Sequence, residues 1–216
     1  MKSTISKARE EGRFHLTAEE SFDLLSFADI EYADIVFADD RSGVIEGAET
    51  IGYPVSLKYW GYKHKKEMGA VVLDIRTEDE LIKAYEDMME IDVVRENNKV
   101  SIQEMVQGDE FIVGGIRDEV FGPAVMLGGG GVDVERKEDV VFRLAPLNDA
   151  EGHEMIEETK AGGSLKDEGD ITYLIEIVQK VGEILLRFDD ISEIDINSVS
   201  VHRSGYDVLD VLVELV

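Results

Sequence analysis

A lysine and a histidine are the first candidates for binding or transferring phosphate. Lys58 ends the segment IGYPVSLK, where a rigid strand would aim its ammonium group at a ligand. His64 lies in KHKKEMG, where the surrounding lysines would attract an anion and a neutral imidazole could accept a phosphoryl group. The open alternatives are a lysine that extends from a strand end to solvent and a histidine in a basic surface loop.

Acidic and amide side chains in two later segments complete a possible nucleotide site. The segment QEMVQGDE contains Glu104, Gln107 and Glu110, whose carboxylates could accept hydrogen bonds from a sugar hydroxyl or an exocyclic amine. The alternative is a hairpin with solvated acids. The glycine run Gly128 to Gly131 could bring backbone N–H groups close to an anion, but it matches no phosphate-binding motif and could be a flexible turn.

Oxygen donors near the C-terminus suit a magnesium ion. Asp195 and Asn197 lie in EIDINS and Asp210 in YDVLDVL, two segments with the pattern of adjacent strands. Side chains two residues apart in a strand share a face, and Mg²⁺ is usually bound by one or two carboxylates together with substrate phosphates. Acidic strand ends without a ligand are the alternative.

Composition limits the classes of partner. The chain has 216 residues, of which 22 are basic and 48 acidic, so the net charge is 22 − 48 = −26. This charge disfavours nucleic acid and anionic membranes as partners. It fits a salt-adapted host whose counterions screen the self-repulsion, and the equal alternative is an acidic surface in an ordinary cell. Cysteine is absent, and neither a signal peptide nor a membrane span is present in the sequence. We therefore expect a soluble cytoplasmic protein.

Helical and strand patterns alternate along the whole chain. Thr17 with Glu20 and Thr77 with Glu80 are capping-box pairs that predict helix starts. The charged stretch 95–99 predicts a connection, followed by three short strands in a meander. The mixture predicts an α+β fold with domains 1–95 and 96–216.

Five segments follow one another in a distinctive order. They are IGYPVSLK, HKKEMGAVVLDI, QEMVQGDEFIVGGIRDEVFGPAVMLGGGG, FRLAPL and EIDINS. From about Leu16 to the end, the chain resembles the ATP-grasp β subunit of ADP-forming acyl-CoA synthetases, for example acetate-CoA ligase. It is more distantly similar to the succinyl-CoA synthetase β subunit. The resemblance implies an ATP-grasp fold whose two α+β subdomains clamp ATP or ADP with Mg²⁺.

The resemblance also implies roles for individual residues. Lys58 would contact the nucleotide phosphates, and Glu110 the ribose or phosphates. The remaining implied roles are adenine binding for Glu104, Val106 and Gln107, metal binding for Asn197 and Asp210, and catalysis for Asp195 and for His64 as a phosphoryl acceptor. The chain differs from the family's usual DINP by Ser198 and from its usual HKSDVGGV loop after Lys65.

By the same resemblance, the whole enzyme interconverts acyl-CoA, ADP and phosphate with free acid, CoA and ATP. Because no segment here predicts a CoA-binding fold, we expect a separate CoA-binding α subunit, in an α2β2 hetero-oligomer. The phosphoryl group would pass from the α subunit to ADP on this chain through a phosphohistidine intermediate. The alternatives are a succinate-CoA ligase β subunit, another ATP-grasp ligase, or a noncatalytic regulatory domain that binds nucleotide or metal.

Overall fold

The structure is a computed structural model that describes residues 1–60, 69–130, 139–165 and 167–216. The helices in these ranges are α1 (Lys2–Glu10), α2 (Ala18–Phe27), α3 (Arg41–Ile51), α4 (Glu78–Met89), α5 (Asp92–Asn97), α6 (Asp149–Glu158) and α7 (Glu168–Arg187). The strands are β1 (Ile35–Ala38), β2 (Val55–Tyr59), β3 (Val71–Ile75), β4 (Val100–Glu104), β5 (Asp109–Asp118), β6 (Gly122–Gly129), β7 (Val140–Leu144), β8 (Ile191–His202), β9 (Gly205–Val208) and β10 (Val211–Leu215).

The chain divides into two compact units. The smaller unit is Ala33–Val106, and the larger unit combines Met1–Tyr32 with Gln107–Val216. This division differs from the predicted one at residue 95. The reason is that β4 pairs with β1 and β2, which keeps it with the residues that precede it. The N-terminal segment joins the C-terminal part because Leu16 N–H donates to the Val213 carbonyl.

The smaller unit is an antiparallel sheet packed on helices. Its strand order is β1-β4-β2-β3, and α3 and α4 contact the sheet. Gly52 ends α3 with a φ of 92°, in the left-handed region that favours glycine, so the chain can turn into β2. The core consists of Val44, Ala48, Val55, Leu57, Tyr59, Ala70, Ile75, Leu81, Ala84, Tyr85, Met88, Val94, Val100 and Ile102.

The larger unit is a second antiparallel sheet with helices against one face. Its strand order is β10-β8-β5-β6-β7, and β9 also pairs with β8. The long helix α7 contacts β5, β6, β8 and β9, and α6 contacts α7 and β7. Gly115 permits this close approach, since a Cβ there would lie 2.6 Å from Leu185 Cδ1 and 3.0 Å from Val181 Cγ1. The face of the sheet that carries Gly115 is therefore the one covered by α7.

Most predicted elements are confirmed, and the exceptions have physical causes. Both predicted helix starts occur. Thr17 and Glu20 form a complete capping box, whereas Thr77 accepts from Glu80 N–H while the Glu80 carboxylate accepts from Arg76 N–H instead of Thr77 N–H. The predicted connection at 95–99 is instead mostly the end of α5. The predicted meander of three strands is wrong because the first of them, β4, joins the sheet of the smaller unit. The other two, β5 and β6, pair with each other as a hairpin. Strand β7 and helix α1 were not predicted. Among the helices of the described residues, none is both long enough and apolar enough for a bilayer span.

Candidate functional site

Lys58 is buried in the smaller unit and is hydrogen-bonded there. Only 9% of the residue is exposed, so the alternative of a lysine that extends to solvent does not hold. Its Nζ donates to Gln103 Oε1 at 2.6 Å. Because β2 is buried along its whole length, the backbone that carries Lys58 is held by β3 on one side and β4 on the other. The strand therefore provides the rigid support that the sequence predicted.

The face of the smaller sheet that carries Lys58 is polar although it is buried. In the ladder between β2 and β4, Ser56 lies opposite Gln103 and Lys58 opposite Ser101. All four residues belong to the buried set, and Ser56 Oγ donates to the Gln103 carbonyl at 3.3 Å. Trp60 Nε1 donates to Ser101 Oγ, which fixes the end of this polar row. A buried polar face needs ligands or partners for its groups, so it is a candidate binding surface.

The predicted adenine-binding residues follow β4 directly. Glu104 is the exposed last residue of that strand, and its N–H donates to the Asp34 carbonyl at 2.9 Å. Val106 is half-buried and Gln107 is exposed. The chain passes from the smaller unit to the larger one between these two residues.

Glu110 is anchored by a β-bulge in the larger unit. Ser198 Oγ donates to Glu110 Oε2 at 2.8 Å. In the ladder between β5 and β8, the partners of Phe111 and Ile112 skip Ser198, which is therefore the extra residue of the bulge. Bulges often redirect side chains beside functional sites. Here the bulge connects the Glu110 carboxylate to the residue that follows Asn197.

The three predicted metal-site residues share one face of the larger sheet. Asp195 lies opposite Leu212 in the ladder between β8 and β10, and the pairing continues to Asn197 and Asp210, where Asn197 N–H donates to the Asp210 carbonyl at 3.2 Å. The intervening Ile196 is buried, whereas Asp195 and Asp210 are half-buried and Asn197 is exposed. Asp195 and Asn197 both lie on β8 and share a face, as predicted, whereas Asp210 lies between β9 and β10 and not inside the single predicted strand. The role of these three residues in metal binding stays a prediction.

The donor set fits a magnesium ion that is completed by a ligand. In the described part of the chain, no group of three or more histidine, cysteine, aspartate or glutamate side chains could hold a metal by itself. Two carboxylates and an amide oxygen on one face supply hard oxygen ligands, which Mg²⁺ prefers. A site with few protein ligands leaves coordination positions for phosphate oxygens and water. The residues thus fit Mg²⁺ bound together with a phosphorylated ligand.

The glycine run extends a strand and does not form a separate loop in its described part. Gly128 and Gly129 belong to β6, where Gly129 lies opposite Phe111. The Gly130 N–H donates to the Glu110 carbonyl at 2.9 Å, so this amide is used within the fold. Gly131 lies outside the described residues. In its described part the run is therefore mainly strand, not a flexible turn, and the Gly130 amide already has a partner within the fold.

Sequence reasoning missed Gln103, and its expectation of a phosphate-binding loop around His64 stays a prediction. His64 and its lysine neighbours lie outside the described residues. Gln103 stands immediately before Glu104 and contacts Lys58, yet it was not among the candidates. A possible signal was the carboxamide itself, because a polar side chain inside the strand VSIQE has to find a buried partner.

Comparison with known proteins identifies a family. Residues 7–215 match the ATP-grasp domain. The β subunit of ADP-forming acetate–CoA ligase I from Pyrococcus furiosus is 34% identical over 221 residues, which cover 95% of this chain and 94% of that subunit. ADP-forming acetate–CoA ligase II from Archaeoglobus fulgidus is also 34% identical, over 90% of this chain and 29% of that protein. The chain thus spans under a third of this longer relative.

Solved structures agree with this result. A dinucleotide-forming acetyl-coenzyme A synthetase from Candidatus Korarchaeum cryptofilum, in complex with coenzyme A and Ca-AMPCP, matches with a TM-score of 0.89 and 32% identity over 98% of both chains. The same synthetase in complex with coenzyme A and Mg-AMPPCP matches with a TM-score of 0.84, again at 32% identity, over 99% of both chains. The α+β architecture and the predicted family are confirmed: the chain belongs to the ATP-grasp family, among the β subunits of ADP-forming acetate–CoA ligases.

Proposed function

We propose that this chain is the nucleotide-binding subunit of an ADP-forming acyl-CoA ligase, with acetate as the first acid to test. The enzyme would convert acyl-CoA, ADP and phosphate into free acid, CoA and ATP, or run in reverse. The observation that carries the proposal is the single sheet face that holds Asp195, Asn197 and Asp210 in a chain of this family. The full-length match to a β subunit supports the assignment to one half of the enzyme.

The smaller unit would bind the phosphates of the nucleotide. The Lys58 ammonium would donate hydrogen bonds to phosphate oxygens and reduce their negative charge. Glu104, with the backbone near Val106 and Gln107, would bind adenine, and Glu110 would face the ribose or phosphates. Charge-assisted hydrogen bonds of this kind position a phosphoryl group for transfer, which is most of what a protein contributes to such a reaction.

The larger unit would bind Mg²⁺ through Asn197 and Asp210. When bound, the ion supplies positive charge that lowers the barrier for phosphoryl transfer. Asp195, on the same face, would lie near the transferred phosphoryl group. Asn197 lies on β8 and its N–H donates to the carbonyl of Asp210, just before β10, so the backbone that carries both residues is fixed before the nucleotide arrives. A related structure that contains Mg-AMPPCP supports this metal.

We further propose a CoA-binding α subunit as the partner, in an α2β2 assembly, since the relatives from Pyrococcus are named as β subunits. Phosphoryl would reach ADP from a phosphohistidine of the partner, and His64 would act as a second acceptor. A phosphohistidine segment in the related Korarchaeum synthetase supports this route. The net charge of −26 fits a salt-rich cytoplasm, where counterions screen self-repulsion.

Reconstitution tests the proposed function. The chain is expressed with the CoA-binding subunit of the same source, and ATP formation is measured from ADP, phosphate and a panel of acyl-CoA thioesters that includes acetyl-CoA and succinyl-CoA. We expect ATP formation with at least one short acyl-CoA. Because His64 is proposed as the second phosphoryl acceptor, His64→Ala should reduce the rate of ATP formation.

Each outcome of this assay has a distinct meaning. Activity with succinyl-CoA alone would favour the succinate–CoA ligase alternative. Mg-ADP binding without ATP formation for any thioester would favour a noncatalytic nucleotide-binding role and would contradict the proposal. Full activity of the His64→Ala complex would remove His64 from the pathway while leaving the ligase assignment intact.

A further inference from the structure

The Gln103 side chain lies beside Lys58 on the buried polar face of the smaller sheet. Gln103 is 0% exposed, and its Oε1 accepts a hydrogen bond from Lys58 Nζ at 2.6 Å. The two residues are 45 positions apart in sequence and are brought together by the pairing of β2 with β4. A lysine side chain is flexible along four carbons, so a fixed acceptor restricts where its ammonium group can lie.

The orientation of the Gln103 carboxamide follows from the lysine. An ammonium group only donates hydrogen bonds, so the atom that faces it must be the amide oxygen. This leaves Gln103 Nε2 on the other side, where it is buried and has no hydrogen-bond partner among the described residues. Because an unpaired buried donor costs free energy, an aliphatic residue at this position would avoid that cost. The unpaired amide therefore indicates a requirement beyond stability.

That requirement is an acceptor for Lys58 that carries no charge of its own. A carboxylate at position 103 would hold the ammonium group as firmly, but it would add a negative charge next to the atoms that must attract a phosphate. Acidic residues are the commonest charged type in this chain, with 48 of them, yet an uncharged amide occupies this position. A neutral acceptor fixes the ammonium group and leaves its attraction for an anion intact.

We propose that Gln103 is a positioning residue for the nucleotide phosphates. It acts through Lys58, because it holds the ammonium group in place without neutralising its charge. It therefore raises the affinity for a nucleotide that carries phosphates but not for the nucleoside alone. This inference rests on the proposed function, because it assumes that Lys58 contacts the phosphates of ADP. It goes beyond that function by assigning a role to a residue that does not itself need to touch the ligand.

The test compares a charged and an uncharged ligand. Binding of Mg-ADP to the full chain is measured by calorimetry, and adenosine is measured by competition. For Gln103→Glu we expect the Kd of Mg-ADP to rise about tenfold or more, since the added carboxylate competes with phosphate for the ammonium group. The affinity for adenosine should stay unchanged, because adenosine has no phosphate. Gln103→Met, which removes the acceptor, should also weaken Mg-ADP but not adenosine.

A matched control is available in Gln179→Glu. Gln179 lies on α7 in the larger unit, outside the candidate site, and the same substitution adds the same charge there. Its Mg-ADP affinity should equal that of the wild type. The proposal would be overturned by a Gln103→Glu chain that binds Mg-ADP as tightly as the wild type, or by equal losses for Mg-ADP and adenosine, which would indicate a purely structural role.

Two further readouts keep the test decisive. Melting temperatures establish which variants are folded, and if Gln103→Glu does not fold, Gln103→Met decides: a folded Met variant with wild-type affinity for Mg-ADP would overturn the proposal. Failure of the wild type to bind Mg-ADP would instead contradict the proposed function itself, together with this inference. Wild-type binding with unchanged Gln103 variants would contradict only the role of Gln103.

Discussion

Replacing Lys58 with methionine should weaken Mg-ADP binding by about ten- to a hundredfold, the value of one or two hydrogen bonds from a charged group. In the reconstituted enzyme, kcat should fall by roughly a hundred- to a thousandfold, because the lost charge would act on the transferring phosphoryl group. Methionine suits the position sterically, since Lys58 is only 9% exposed and methionine is unbranched and apolar. Calorimetry and initial rates measure the two effects.

Lys83→Met is the matched control for this prediction. Lys83 is an exposed residue of α4 in the same unit, so its substitution removes one positive charge away from the polar face. That variant should bind Mg-ADP like the wild type. If Lys58→Met also kept wild-type affinity and rate, the phosphate contact assigned to Lys58 would be wrong, whatever the rest of the chain does.

Replacing Asp210 with alanine should remove most of the magnesium dependence of nucleotide binding. Asp210 lies just before β10, and its carbonyl accepts a hydrogen bond from the N–H of Asn197 on β8. With this ligand removed, we expect the Kd of ADP in the presence of Mg²⁺ to rise by roughly ten- to a hundredfold, close to the value that EDTA produces in the wild type. Asn197→Ala should act in the same direction. Calorimetry with and without Mg²⁺ measures both variants.

The fold should survive these substitutions. Removing an acid from a face that carries several carboxylates relieves repulsion between like charges, so melting temperatures should not fall greatly. Asp189→Ala is the control, since the Asp189 side chain is 95% exposed in the turn before β8 and lies outside the predicted ligands. An Asp210→Ala chain whose ADP affinity still rises with Mg²⁺ as in the wild type would exclude Asp210 as a metal ligand.

Local signals in the sequence were sufficient for much of this fold. The hydrogen bonds that begin α2 and α4 join residues only three apart, so Thr17 with Glu20 and Thr77 with Glu80 could be recognised directly. Likewise, period-two alternation was enough to place Asp195 and Asn197 on one face. These features depend on neighbours along the chain, and neighbours are visible in a sequence.

Features that depend on distant residues could not be predicted in the same way. The Glu110–Ser198 hydrogen bond joins residues 88 positions apart and depends on a bulge that no local pattern marks. The role of Gln103 could not be predicted for the same reason: its hydrogen-bond partner, Lys58, lies on a strand that is distant in sequence. The association of the first 32 residues with the C-terminal part follows from pairing near Leu16 and Val213, which only the folded chain brings together.

We propose that this chain binds a metal–nucleotide complex through Lys58, Asn197 and Asp210. A crystal structure of the full chain with Mg-AMPPCP tests it most directly. We expect phosphate oxygens within hydrogen-bond distance of Lys58 Nζ and a Mg²⁺ ion coordinated by the side chains of Asn197 and Asp210. A nucleotide bound elsewhere, with its phosphates in contact with none of these three residues, would contradict it.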